Sequence, residues 1–225
     1  MPTSSKTKAN GKRQTHAHRP RQDRMALQPV ADLFNHADTG CTVAFDDKGF
    51  SITADKAYAP GEEVRICYGR HGNDFLLVEY GFVLASTATG QTENRWDEVC
   101  IDEAVLPELS ARHKETLEEV GFLGGYVLDA STVCYRTQVA LRLLLLPDTR
   151  WWAFVGGEDA EQDDQSVQSE VDALLVRILQ RYMVRIDGTL AELDDLDAGQ
   201  PCQRELLALR WRQIRRLVSD TISRI

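Results

Sequence analysis

Apolar side chains are missing from the first stretch of the chain, alternate in the second, and recur at three and four residues in the third. Residues 1–24 contain no Leu, Ile, Val, Phe, Trp or Tyr, so this stretch has too little apolar surface to offset the entropy of folding and is expected to be disordered. From Pro29 the composition changes. Residues 41–45 and 50–54 are short alternating or β-branched runs joined by Asp46-Asp47-Lys48-Gly49, which predicts a hairpin. Ala59-Pro60-Gly61 predicts a turn, and 63–67 a third strand running into Tyr68-Gly69. Residues 73–80 take helical spacing, with Phe75, Leu76, Leu77 and Tyr80 able to share a face and Gly81 closing the helix.

After about Gly90 the helical period takes over. The spacing predicts helical segments over 103–120, stopped by Gly121, and over 131–146, with Asp129, Ser131 or Thr132 as N-cap and Pro147 as the stop. The strongest helices are 171–186 and 204–225. In the last, Leu207, Trp211, Ile214, Leu217, Val218, Ile222 and Ile225 form an apolar stripe, with Arg204, Arg212, Arg215 and Arg216 falling largely elsewhere as a solvated face. Trp151, Trp152 and Phe154 read as helix-packing material, with a partner contact as the other use. The expected fold class is α+β: a β-rich part followed by an all-α part, divided as a tail 1–24, a mixed segment 25–100 and a helical domain 101–225.

Charge and cysteines narrow the function classes. The chain carries 26 Lys and Arg against 35 Asp and Glu, a net charge of -9, which disfavours sequence-blind nucleic-acid binding. Residues 1–24 hold seven of those basic side chains, scattered rather than clustered. His16 and His18 in this tail lack further nearby ligands and are read as solvated. The five cysteines are widely spaced with no Cys-x-x-Cys pair, so neither a disulfide framework nor a structural zinc site is expected. The acid-rich stretch 156–172 lacks the glycine-centred alternation of a calcium loop and is read as a solvated loop entering a helix. The longest apolar run, 139–146, is interrupted by Arg142; no membrane span is expected.

His71, Asp38 and His113 suggest a hydrolytic triad only superficially. No Gly-x-Ser-x-Gly elbow and no His-Glu-x-x-His accompanies them. An Asn-His pair alone is usually a turn or cap, and a tyrosine at a strand end usually a half-buried packing residue.

Taken in order, Asp32-Leu33-Phe34-Asn35-His36, the hairpin, Gly61-Glu62-Glu63, Cys67-Tyr68-Gly69, Asn73, Leu76-Leu77 and Glu79-Tyr80-Gly81-Phe82-Val83 resemble a SET-domain protein-lysine methyltransferase. The order and spacing are similar to the branch that includes Rubisco large-subunit methyltransferase and related fungal and animal enzymes. The remainder, with Ala140-Leu141-Arg142-Leu143-Leu144 and Arg210-Trp211-Arg212-Gln213-Ile214, resembles less specifically the helical substrate-binding domain of that branch.

The resemblance implies an intracellular, cytoplasmic or nuclear, S-adenosylmethionine-dependent enzyme acting on a lysine of a non-histone protein, without metal, membrane or nucleic-acid partner. It places Tyr68 beside the transferred methyl group as the catalytic residue. Asn35 and His36 lie against the cofactor, largely through backbone groups, with Phe82 on the adenine ring and Tyr80 along the lysine channel. Glu63 and Arg65 read as fold residues. Members of the family carry an N-terminal SET half with a Gly-x-Gly loop, which nothing before Met25 resembles. The expectation is therefore a fragment of such an enzyme or, alternatively, a catalytically silent interaction module that keeps the helical domain.

Overall fold

The computed structural model describes residues 29–46, 49–85, 94–157 and 165–225. The expected tail, His16 and His18, the hairpin tip at 47–48 and the centre of the acid-rich stretch lie outside the described residues. Within the first short unit, ending at Phe34, Ala31–Leu33 form one 3-10 turn.

The second unit starts at Asn35 and has the expected α+β character. Its first part is a three-stranded sheet ordered β2-β1-β3. The long β1 (Asn35–Asp46) pairs antiparallel with β2 (Gly49–Thr53) and parallel with β3 (Arg65–Ile66). The hairpin follows from alternation plus turn chemistry. The third strand is shorter than expected, two residues instead of five. The helix α1 (Asn73–Tyr80) has the expected bounds, and Gly81 closes it by donating to the Leu76 and Leu77 carbonyls.

The rest is helical around a small sheet. The strands β4 (Glu98–Cys100) and β5 (Val127–Asp129) pair antiparallel, so this part is not purely α. Between them run α2 (Asp102–Val105), a 3-10 turn Leu106–Glu108, and α3 (Ala111–Glu119). A capping box starts α3: Ser110 Oγ accepts from the His113 N–H, and His113 Nδ1 accepts from the Ser110 N–H. His113 thus has a structural task.

The helix expected over 131–146 begins only at Tyr135, as α4 (Tyr135–Leu145). Asp129 is the reason. Its Oδ1 accepts the backbone N–H groups of Ser131 and Thr132 at 2.7 and 2.6 Å, a local turn that competes with helix. Pro147 ends α4 and is the N-cap of α5 (Asp148–Gly156). The last two helices are longer than the periodicity alone suggests: α6 (Gln165–Asp194) and α7 (Pro201–Arg224).

One apolar core joins these elements. On α6, Val167, Val171, Leu175, Ile178, Leu179, Tyr182 and Ile186 follow the helical period and are buried, against Val139, Ala140 and Leu141 of α4 and Ile214 and Val218 of α7. Trp151 is fully buried and its indole donates to the Val139 carbonyl at 2.9 Å; its neighbour Trp152 is 46% exposed. On α7, Trp211, Ile214, Leu217, Val218 and Ile222 of the expected stripe join the core, while Leu207 is half-buried outside it and Ile225 at the end is exposed. Arg142 sits buried in α4 between Gln138 and Gln168, which accept from it at 2.5 and 2.6 Å. No described helix is long and apolar enough to cross a membrane.

Candidate functional site

The site expected from the sequence is built where β1 runs beside β3. Asn35 pairs with Arg65 and His36 with Ile66; the register then slips so that Cys41 also faces Ile66. Gly40 makes that approach possible: a Cβ there would lie 2.5 Å from the Arg65 carbonyl oxygen. At the end of β3, Gly69 takes φ +150°, and a Cβ would meet the His71 ring at 2.3 Å. The Tyr68-Gly69 pair is therefore a tyrosine followed by a turn that only glycine fits, packed under an imidazole.

Four aromatic side chains gather at this point. The ring of His36 lies 5.0 Å from Tyr68 and 5.9 Å from Phe82. Tyr80 lies 5.0 Å from Tyr68 and 6.2 Å from Phe82. Tyr80 also neighbours Phe75 at 6.3 Å, on which His71 stacks at 4.1 Å. Phe75 and Tyr80 are half exposed, so these residues of α1 serve the ring cluster and not the interior face that helical spacing suggests; Leu76 is the fully buried residue.

His36 is the hinge of the arrangement. It is buried, and its Nδ1 accepts the backbone N–H of Tyr68 at 3.1 Å, which requires the neutral ring. Burial, and then the nearby His71, hold its imidazole below the ordinary value; a hydrogen bond with the Ile66 backbone and the charge of Asp38 act the other way. Asn35 is placed differently. Its amide donates to Glu63 Oε1 at 2.6 Å, and Arg65 donates to Glu63 Oε2 at 2.9 and 2.6 Å. Arg65 first, and Asn35 second, keep that carboxyl below the usual carboxylate range. Of the five expected site residues, the structure brings His36, Tyr68, Tyr80 and Phe82 together, while the Asn35 side chain is engaged by Glu63.

A polar hub lies next to the ring cluster, and sequence reasoning assigned it no role. Asn73 opens α1 and is 1% exposed. Its Nδ2 donates to the Leu84 carbonyl and to Gln213 Oε1, both at 3.0 Å, and its Oδ1 accepts from the Leu84 N–H at 3.0 Å and from Asn94 Nδ2 at 3.1 Å. Arg210, buried on α7, joins the same hub. The motifs containing Asn73, Arg210 and Gln213 were visible in the sequence; their meeting across some 140 positions was not. A cavity of about 360 Å³ adjoins this hub, lined by Asn94, Leu209, Arg212 and Leu217 among others. It is not at the ring cluster, and its place does not move the candidate site.

His71 and Asp38 do not form a nucleophilic triad. His71 stacks on Phe75 and Asp38 pairs with Arg95 at 3.2 Å, while His113 caps α3. Among the described residues no group of three or more His, Cys, Asp or Glu side chains is placed to hold a metal ion.

The chain has relatives among known proteins. Residues 97–224, more than half of it, match the model of the Ribosomal lysine N-methyltransferase 2 C-terminal domain. Ribosomal lysine N-methyltransferase set11 of Schizosaccharomyces pombe is 26% identical over 172 residues, covering 70% of this chain and 43% of that protein. Ribosomal lysine N-methyltransferase 2 of Saccharomyces cerevisiae is 29% identical over 153 residues, 66% of this chain and 30% of its own length. SET domain-containing protein 4 of Mus musculus is 27% identical over 203 residues, 86% of this chain and 46% of its own. The chain spans less than half the length of these relatives. It belongs to the SET-family lysine methyltransferases, in the family of the ribosomal lysine N-methyltransferase 2 C-terminal domain.

Proposed function

We propose that this chain is part of an S-adenosylmethionine-dependent protein-lysine N-methyltransferase of the Rubisco large-subunit methyltransferase-like branch, acting on a lysine of a ribosomal or other non-histone protein. The observation that carries the reading is the convergence of His36, Tyr68, Tyr80 and Phe82, with the Tyr68 backbone held by His36. Two of the relatives are named ribosomal lysine N-methyltransferases, and a net charge of -9 suits encounter with a basic protein.

The residues present fit such a cofactor. Ring faces attract an onium cation and stack on a flat heterocycle, and each of the four rings lies 5.0 to 6.2 Å from two of the others. When bound, S-adenosylmethionine supplies the electrophilic methyl group. Phe82 would pack on its adenine, and Asn35 and His36 would meet it largely through their backbone. The protein's own task is to present a neutral amine in line with that methyl group. At pH 7 a lysine of ordinary pKa ~10.4 is deprotonated in roughly one molecule in 2,500. A ring-lined channel disfavours the charged form by keeping water out, with Tyr80 along it and the Tyr68 hydroxyl orienting the amine.

The test is calorimetric titration of the full chain with S-adenosylmethionine, followed by methyl transfer from labelled cofactor to a ribosomal protein fraction. Binding, together with loss of transfer by about 10²-fold in Tyr68→Phe, supports the enzyme. Absence of measurable binding overturns it for this chain and leaves the interaction module.

A further inference from the structure

Only one of the eight residues of α1, Leu76, is a buried apolar side chain; Phe75, Val78 and Tyr80 are 44%, 79% and 49% exposed. A helix this short is marginal without tertiary contacts, so polar contacts must locate it. Those contacts come from α7. The Arg210 side chain is 2% exposed and directs Nε to Asp74 Oδ1 at 2.7 Å, one terminal nitrogen to Asp97 Oδ2 at 2.7 Å, and the other to the Glu98 carbonyl at 3.0 Å. One turn further, Gln213 Nε2 donates to the Leu84 carbonyl at 2.8 Å and its Oε1 accepts from Asn73 at 3.0 Å. Asp97 Oδ1 accepts the Asn73 backbone N–H at 2.9 Å. The segment 73–84 is thus clamped near both ends by one helix, and Tyr80 and Phe82 lie between the clamps.

We propose that Arg210 and Gln213 are positioning residues for the ring cluster: α7 sets where Tyr80 and Phe82 stand against Tyr68 and His36. The helical part therefore completes the candidate site as well as packing beside it. The guanidinium is suited to the task because it serves three acceptors in fixed directions, which a lysine ammonium does not reproduce. That these positions matter for methyl transfer rests on the function proposed above; the mechanical coupling does not.

The experiment is amide hydrogen exchange on the full chain for Arg210→Lys, Gln213→Leu and Asp74→Asn. Asp74 is 53% exposed, and its replacement leaves Asp97 opposite the guanidinium, so this variant folds even where the other two do not. The expected result is exchange faster by about tenfold at 77–81 and at Leu84, the scale of a lost charge-assisted hydrogen bond, with less than about twofold change at 175–182 of α6. Unchanged exchange in α1, or equal acceleration in α1 and α6, overturns the proposal; the latter is what a merely global structural role produces. On labelled cofactor and protein substrate, the same variants lower kcat/KM more than they weaken cofactor binding. If the unaltered chain binds no cofactor, the enzyme reading fails while the exchange result still decides the coupling.

Discussion

Two parts of the molecule are held together by different forces. Every member of the large apolar core lies at or beyond Val99, whereas before it the buried apolar residues among those described are Cys41, Ile66 and Leu76. The later part has an interior mainly of leucine, valine and isoleucine, with Tyr126, Trp151 and Tyr182 among them. The earlier part relies on strand pairing, stacked rings and hydrogen bonds that reach across to α7. Regions with few buried apolar contacts open at lower free energy, and candidate binding residues concentrate in this one. The difference teaches that damage to the core acts on the whole chain, while damage to the ring-bearing part is felt locally.

The largest expected effect breaks the core. Trp151 is fully buried and its indole is hydrogen-bonded, so Trp151→Ala costs about 3–5 kcal/mol and moves the denaturant midpoint of the whole chain. A smaller change confined to α5 would mean that the helices do not melt as one core.

Next comes a local lesion. Gly40→Ala forces a Cβ to within 2.5 Å of the Arg65 carbonyl oxygen, and because the obstacle is backbone the strands must separate. The expected cost is about 1–3 kcal/mol, read as faster amide exchange at Cys41 and Ile66 with the α6 amides unaffected. A shift of the α6 amides by the same factor would erase the distinction between the parts.

The third effect is a pH dependence, and its sign is fixed by His36. Its folded-state pKa is depressed below the ordinary value by burial and by His71, so the unfolded chain takes up the proton first. The contribution of the neutral ring is present above the unfolded value of about 6.5 and is lost as pH falls through the depressed folded value. Protonation also removes the acceptor of the Tyr68 N–H. Exchange at the Tyr68 amide, corrected for intrinsic pH dependence, is expected to accelerate below pH ~6.5 before α6 responds, and His36→Gln to flatten that response. Equal protection at both ends of the window would contradict the assigned tautomer.

How much of this the sequence carried depends on whether the signal is local. The hairpin and α1 were legible because turn residues and a closing glycine sit beside the periodic segment. The stripes of α6 and α7 were legible because burial repeats with the helix. Asp129 defeated the same logic: its carboxylate caps the turn at Ser131 and Thr132 and delays α4 to Tyr135. The ring cluster was legible only through family resemblance, since the pattern alone assigns Phe75 and Tyr80 to an interior face. Arg210 was beyond either route. Its partners Asp74 and Asp97 are 136 and 113 positions away, and no period marks an arginine as the buried member of a polar stripe.

The smallest expected effect tests the comparison from its surface. Arg112 and Asp148 join α3 to α5 at 2.8 Å, with side chains 79% and 69% exposed. The separation is close to that of Arg210 from Asp74, 2.7 Å, but the Arg210 side chain is buried. In water the first pair is screened and its desolvation is slight, so Arg112→Ala should change stability by less than about 0.5 kcal/mol. Truncating Arg210 leaves the largely buried Asp97 without its counter-charge, which costs more than the pair itself is worth. Urea denaturation of Arg112→Ala beside Arg210→Met settles the matter: similar midpoints would show that the hub on α7 is no better insulated than a surface ion pair, and that α1 is held by something other than Arg210.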